Sequence, residues 1–161
     1  GLLTPGVAEA YYSGFDKEID ARLAMFGWGW HNEAGIHLLR LILSGAFDRN
    51  PKLQVISGHW GEMLPFYLQR LDDSIPQEAS GLARSITQTF REQVWVTPSG
   101  MLTLPHFRFI HDLMGAERIL YSLDYPYQSL DGARAFIDSL PVPDTEKAMI
   151  AHGNAERLLK L

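Results

Sequence analysis

Apolar residues along this chain follow two alternating patterns. Between 32 and 47, Ile36, Leu39, Leu43 and Phe47 recur at three- and four-residue steps. That spacing predicts one face of an α-helix, with Asn32 placed to cap it. Compact apolar runs at 53–57, 94–97 and 119–123 are too short for helices and predict buried strands. Further helices are predicted at 62–71, 85–92, 105–114, 131–140, 144–151 and 155–159. Pro65 and Pro105 suit first turns, where a missing N–H is harmless, and Gly115 suits a C-terminal cap. Asp48-Arg49-Asn50-Pro51 reads as a turn, 74–84 as a loop, and Pro98-Ser99-Gly100 as the end of the middle strand. Residues 1–27 offer no opening strand.

Short apolar strands alternating with helices predict an α/β fold whose parallel sheet is covered by helices, with residues 1–161 as a single domain. Three strands are few: such a sheet has two bare edges and calls for more strands beside it.

Composition narrows the function. Hydrophobic residues are 46% and charged residues 20% of 161, ordinary for a globular chain. The formal net charge is -5 with no basic block, so neither nucleic acid nor an acidic membrane surface is an expected partner. There is no cysteine, so any metal must be held by histidine and carboxylate. No apolar stretch is long enough for a membrane span and no basic-then-apolar leader opens the chain; a cytoplasmic enzyme is the expectation.

Two predicted strands end in chemistry. The run 119–123 delivers Asp124, and 53–57 leads through Gly58 to His59, with Gly61 and Glu62 just beyond. In parallel α/β folds the C-terminal strand ends open on one face, where reactive groups collect. An imidazole and a carboxylate at one mouth suit a metal-dependent site. Glu62, expected in the first turn of the next helix, is placed to hydrogen-bond His59 and fix its tautomer. Each residue also has a plainer reading: His59 bonding backbone, Glu62 capping a helix, Asp124 closing an Asp-x-Pro turn on its own backbone. Ser99-Gly100 is placed to line the same mouth.

The remaining candidates point to structure. His31 and His37 are six apart, roughly 120° from a common helix face, which rules out a zinc-protease helix. Glu33 and His37 are spaced to pair along a helix. His106, His111 and His152 are expected to be solvated or capping, and Trp28 and Trp30 to pack in the core.

In combination these segments resemble a known family. Trp28-x-Trp30, Glu33, the run 37–53, Gly58-His59-Trp60-Gly61-Glu62-Met63-Leu64-Pro65, Arg70-Leu71-Asp72, Ser99-Gly100, the run 118–126 and Asn154-Ala155 stand in the order found in amidohydrolase-related proteins that include aminocarboxymuconate-semialdehyde decarboxylase. The pattern is most similar to their γ-resorcylate and 2,3-dihydroxybenzoate decarboxylases.

That resemblance implies a (β/α)8 barrel with one divalent metal, zinc or manganese, and a small aromatic carboxylate substrate. It implies Asp124 as the metal ligand from the last strand, His59 as the proton-transfer group and Glu62 as its acidic partner. Trp60 departs from the Met or other small apolar residue common there, which would reshape the pocket; Pro98 stands where Thr is common. The family's first-strand metal motif and fifth-strand His have no counterpart, and a barrel takes about 250 residues. The chain is therefore expected to be the C-terminal portion of a TIM barrel, about its last three strands, inactive alone. It is expected to form a homo-oligomer or to pair with an N-terminal half. A lactone or amide hydrolase of the same superfamily, and a non-catalytic truncated or split-gene product, are the alternative readings.

Overall fold

A computed structural model describes residues 5–161. Helices Pro5–Tyr12 and Lys17–Arg22 lead into a wider π turn, Leu23–Gly27, and then into Gly29–Leu43. The predicted cap moves: Asn32 lies inside this helix, which starts at Gly29. The predicted apolar face moves too. Ile36 is half exposed and Leu39 and Leu43 only partly buried, whereas Gly35, Leu38 and Ile42 are buried. Apolar residues occur nearly all round this helix, so their period could not select a face. Close approach at Gly35 does: a Cβ there would stand 2.5 Å from the Glu62 carbonyl oxygen. Gly45, at φ +70°, breaks the predicted helix into Gly29–Leu43 and Ala46–Arg49.

The strands β1 (Val55–Ser57) and β2 (Val94–Val96) pair in parallel, with Val55 opposite Val94 and Ser57 opposite Val96. The predicted third strand shrinks to one parallel bridge, Val96 with Ile119, where the Leu120 N–H donates to Val96 O at 2.9 Å. Beyond Leu120 the segment makes side-chain contacts, Tyr121 with Ala133 O and Ser122 with Ser99, but among the described residues no further strand pairing. The other edge, along β1, has no strand partner among the described residues, and Ile56 is 51% exposed there.

Helices Leu64–Ser74, Ile86–Gln93 and Leu104–Met114 each turn buried apolar residues into the core. In Ile86–Gln93 the buried positions Ile86, Thr89, Phe90 and Gln93 stand at i, i+3, i+4 and i+7 on one face, and the Ser85 side chain caps the N-terminus by accepting from Gln88 N–H. The predicted loop 74–84 contains a short helix, Gln77–Ser80. Phe47, Phe90, Phe107, Ile110, Val94, Val96 and Ile119 form the centre of the core. The last predicted helices run together: Asp144–Ala148 passes through a π turn into Asn154–Leu159.

That last helix ties down the segment leading to Asp124. Asn154, fully buried, donates through Nδ2 to Ala116 O (2.8 Å) and Ile119 O (2.7 Å) and accepts from Arg157 (2.9 Å). Replacing it with Leu leaves the Ile119 carbonyl without its side-chain donor and Ala116 O with only the Ile119 N–H, and denaturant unfolding should show a loss of about 1–3 kcal/mol.

Candidate functional site

The site is built on backbone that L-residues seldom adopt. His59, Trp60, Gly61, Glu62 and Met63 have φ of +44°, +58°, +89°, +54° and +64°, one left-handed turn between β1 and the helix Leu64–Ser74. Left-handed conformation costs about 1–2 kcal/mol per non-glycine residue, so something must hold it. The clamp is Trp60, which is buried. Its N–H donates to Thr97 O (2.8 Å) and its Nε1–H to Met101 O (2.7 Å), and its ring meets Phe107 edge-on at 6.4 Å. Trp60 thus turns into the core and does not line the cleft, contrary to the expectation that it reshapes the pocket. Of the two flanking glycines, Gly61 serves the turn and also makes room for Pro65, 2.5 Å from where its Cβ would stand. Gly58 has an ordinary extended backbone; its missing Cβ leaves space for the Ser99 hydroxyl, 2.9 Å away.

The same turn corrects the placement of Glu62. It precedes the helix rather than sitting in its first turn, and it is buried against two imidazoles. Its Oε1 accepts from His59 Nδ1 at 2.7 Å and its Oε2 faces His31 Nδ1 at 2.8 Å. The pairing of Glu62 with His59 is therefore present. The hydrogen bond to Glu62 raises the His59 pKa above its ordinary value, burial opposes this, and the charges of Glu62 and Asp124 add to the rise.

Asp124 has φ +60° and projects a partly exposed carboxylate, Oδ2 lying 3.9 Å from His59 Nε2. The two strand-end groups meet at one mouth. The Asp-x-Pro turn is also there, but it is closed by backbone: Tyr127 and Gln128 N–H donate to the Asp124 carbonyl (2.8 and 3.0 Å), through a cis Tyr125–Pro126 bond. The carboxylate stays free, and among the described residues His59 is the only basic group within 4.0 Å of it. A carboxylate without Lys or Arg fits a metal ligand, though it fills one place of the three protein ligands a catalytic zinc site takes. His31, His59 and Glu62 also bring one donor atom each within 4.8 Å of one another. Hydrogen bonds already engage Nδ1 of both histidines and both oxygens of Glu62.

A cleft of about 440 Å³ joins these groups; Trp28, Met101 and Gln128 help to wall it. Ser99 lines it as expected, at φ +44°, its hydroxyl bonded to Thr97 (2.7 Å) and Ser122 (3.3 Å). Trp28 and Trp30 are 51% and 40% exposed, so the expected core packing is not found. His31, read from sequence as structural, stands in the cleft with its ring 4.4 Å from that of His59. Its adjacency to Trp30 was the available signal. Glu33 and His37 pair along their helix at 3.5 Å, as expected. His111 is neither free nor capping: it bonds Glu146 at 2.7 Å and joins two helices. His106 bonds Thr103 and His152 bonds Glu156 at the surface. The tight seat of Glu62 also makes Gly35→Ala a specific test. Its methyl forces the 59–63 turn away, at about 1–3 kcal/mol of stability, and thermal unfolding should show the loss.

Fold and cleft together define an α/β protein with a histidine–carboxylate site at the C-terminal ends of parallel strands. The chain belongs to the amidohydrolase family, whose model matches residues 4–161. It is 35% identical to Decarboxylase orsB of Emericella nidulans, over 96% of this chain and 49% of that protein. A putative amidohydrolase from Staphylococcus aureus superposes with a TM-score of 0.94 at 42% identity, covering 99% of this chain and 52% of that one. Dihydroxybenzoic acid decarboxylase from Polaromonas sp., solved with bound manganese and the inhibitor 2-nitroresorcinol, gives 0.87 at 30% identity, covering 99% and 47%. The chain spans about half the length of the curated relatives it matches. Among the described residues no helix is long and apolar enough to cross a membrane.

Proposed function

We propose that the chain is the C-terminal portion of a (β/α)8 barrel, a single partial domain, in a metal-dependent non-oxidative decarboxylase of a small aromatic carboxylic acid such as a hydroxybenzoate. The observation that carries this is the 3.9 Å approach of His59 Nε2 to the Asp124 carboxylate, with Glu62 behind the imidazole. The unpartnered β1 edge and the half-length match support the partial barrel.

Asp124 is the metal ligand in this reading, and the remaining ligands come from an N-terminal half or another chain. A divalent metal, zinc or manganese, held in part by Asp124 would supply Lewis-acid charge for the substrate carboxylate. The chain's own residues handle the proton. His59, its pKa raised by Glu62, is the proton donor and delivers the Nε2 proton to the ring carbon bearing the carboxylate. The bond from that carbon to the carboxylate then breaks, its electron pair restores the aromatic ring, and CO2 leaves. Solvent reprotonates His59. Throughout, Glu62 keeps Nδ1–H and therefore the ring orientation.

The isolated chain should bind zinc or manganese weakly in calorimetric titration and release no CO2 from hydroxybenzoates. Joined to an N-terminal half bearing the missing ligands, it should do both. Tight stoichiometric metal binding by the chain alone, or lactone or amide opening without CO2 release by the joined form, sinks the reading.

A further inference from the structure

The geometry points to His31 as a positioning residue that anchors the free oxygen of Glu62, and thereby sets the ring orientation of His59. The kinetic part of this inference rests on the proposed function; the structural part does not.

Glu62 is buried and can reach two imidazoles with two oxygens, so its rotamer is fixed only if both bonds form. His59 takes Oε1 at 2.7 Å. His31 Nδ1 lies 2.8 Å from Oε2 and is the second hold. His31 is itself held: its Nε2 lies 3.0 Å from the Phe26 carbonyl, and its ring stands at 73° to that of His59 with centroids 4.4 Å apart. The result is a chain of contacts from the Phe26 backbone through His31 and Glu62 to His59, whose Nε2 alone is left turned to Asp124. Without His31, Oε2 is a buried acceptor lacking its partner, and the carboxylate is free to rotate off His59. Because the anchor acts through a named nitrogen, it can be separated from space filling. An asparagine amide nitrogen takes the place of Nδ1, whereas a glutamine amide nitrogen takes that of Nε2. His31→Asn keeps the hold on Glu62, and His31→Gln keeps only the bond to Phe26.

The test uses long-range proton–nitrogen NMR of the histidine rings in the whole chain. In the unaltered protein, His31 should show a slowly exchanging Nδ1 proton close to the His59 ring; its absence overturns the proposal without any variant. His31→Gln should shift the His59 ring nitrogens, while His31→Asn leaves them near their original positions. Equal shifts in the two variants, or none in either, would mean that His31 only fills space. In the complete enzyme, His31→Gln should lower kcat about 10–100-fold with KM within about threefold, and His31→Asn should restore most of the loss. Absence of CO2 release from the complete unaltered enzyme refutes the proposed function, and the ring spectra then decide the role of His31 alone.

Discussion

Substituting Phe90 by alanine should destabilise the chain by about 3–5 kcal/mol. Phe90 is fully buried in the core between the helices and the two strands, and its ring lies 3.3 Å from where a Cβ on Gly61 would stand. Its loss removes a large apolar surface from a site walled by backbone turns, which cannot collapse to refill it. For a chain of this size the loss corresponds to a fall in Tm of about 6–20 °C. Urea or thermal unfolding followed by circular dichroism checks it; a change under 1.5 kcal/mol would show that the 59–63 turn can settle onto the cavity.

The second large effect is on chemistry. His59→Asn in the complete enzyme should lower kcat for CO2 release about 10²–10⁴-fold, the usual contribution of a positioned acid or base. Asparagine can still bond Glu62 but has no group at the Nε2 position. The same variant tests the proton affinity of the site. Because the folded pKa of His59 is raised, chiefly by its hydrogen bond to Glu62, its contribution to stability is full below about pH 6.5. It is lost as pH rises through the raised value. The gap in Tm between parent and variant should therefore narrow with rising pH; a gap that widens contradicts the assignment.

What sequence could and could not reveal divides along a physical line. Features set by local chemistry were legible. The helices at 85–92 and 105–114 lie within a residue of Ile86–Gln93 and Leu104–Met114, because proline, serine and glycine mark their ends. The parallel pairing of β1 with β2 also follows the reading, as does the meeting of His59 and Asp124. Features set by distant contacts were not. A run of left-handed residues at 59–63 has no local signature when only Gly61 favours it; Trp60 holds it from Thr97 and Met101, far along the chain. The segment 119–123 has the composition of a strand, but a ladder needs a run of successive partners to persist, and only the Val96–Ile119 pair is there. The place of His31 in the cleft was hidden because its partner, Glu62, lies 31 positions away.

Asn154 gives the last helix a part in the geometry of the cleft that no residue of the cleft discloses. Its amide fastens Ile119, five positions before Asp124, to the closing helix. A chain cut short of that asparagine would retain every side chain of the mouth yet lose the peg that registers the acid against the imidazole. A widened gap between His59 and Asp124 in such a deletion would then reflect misalignment, with all the cleft side chains still present.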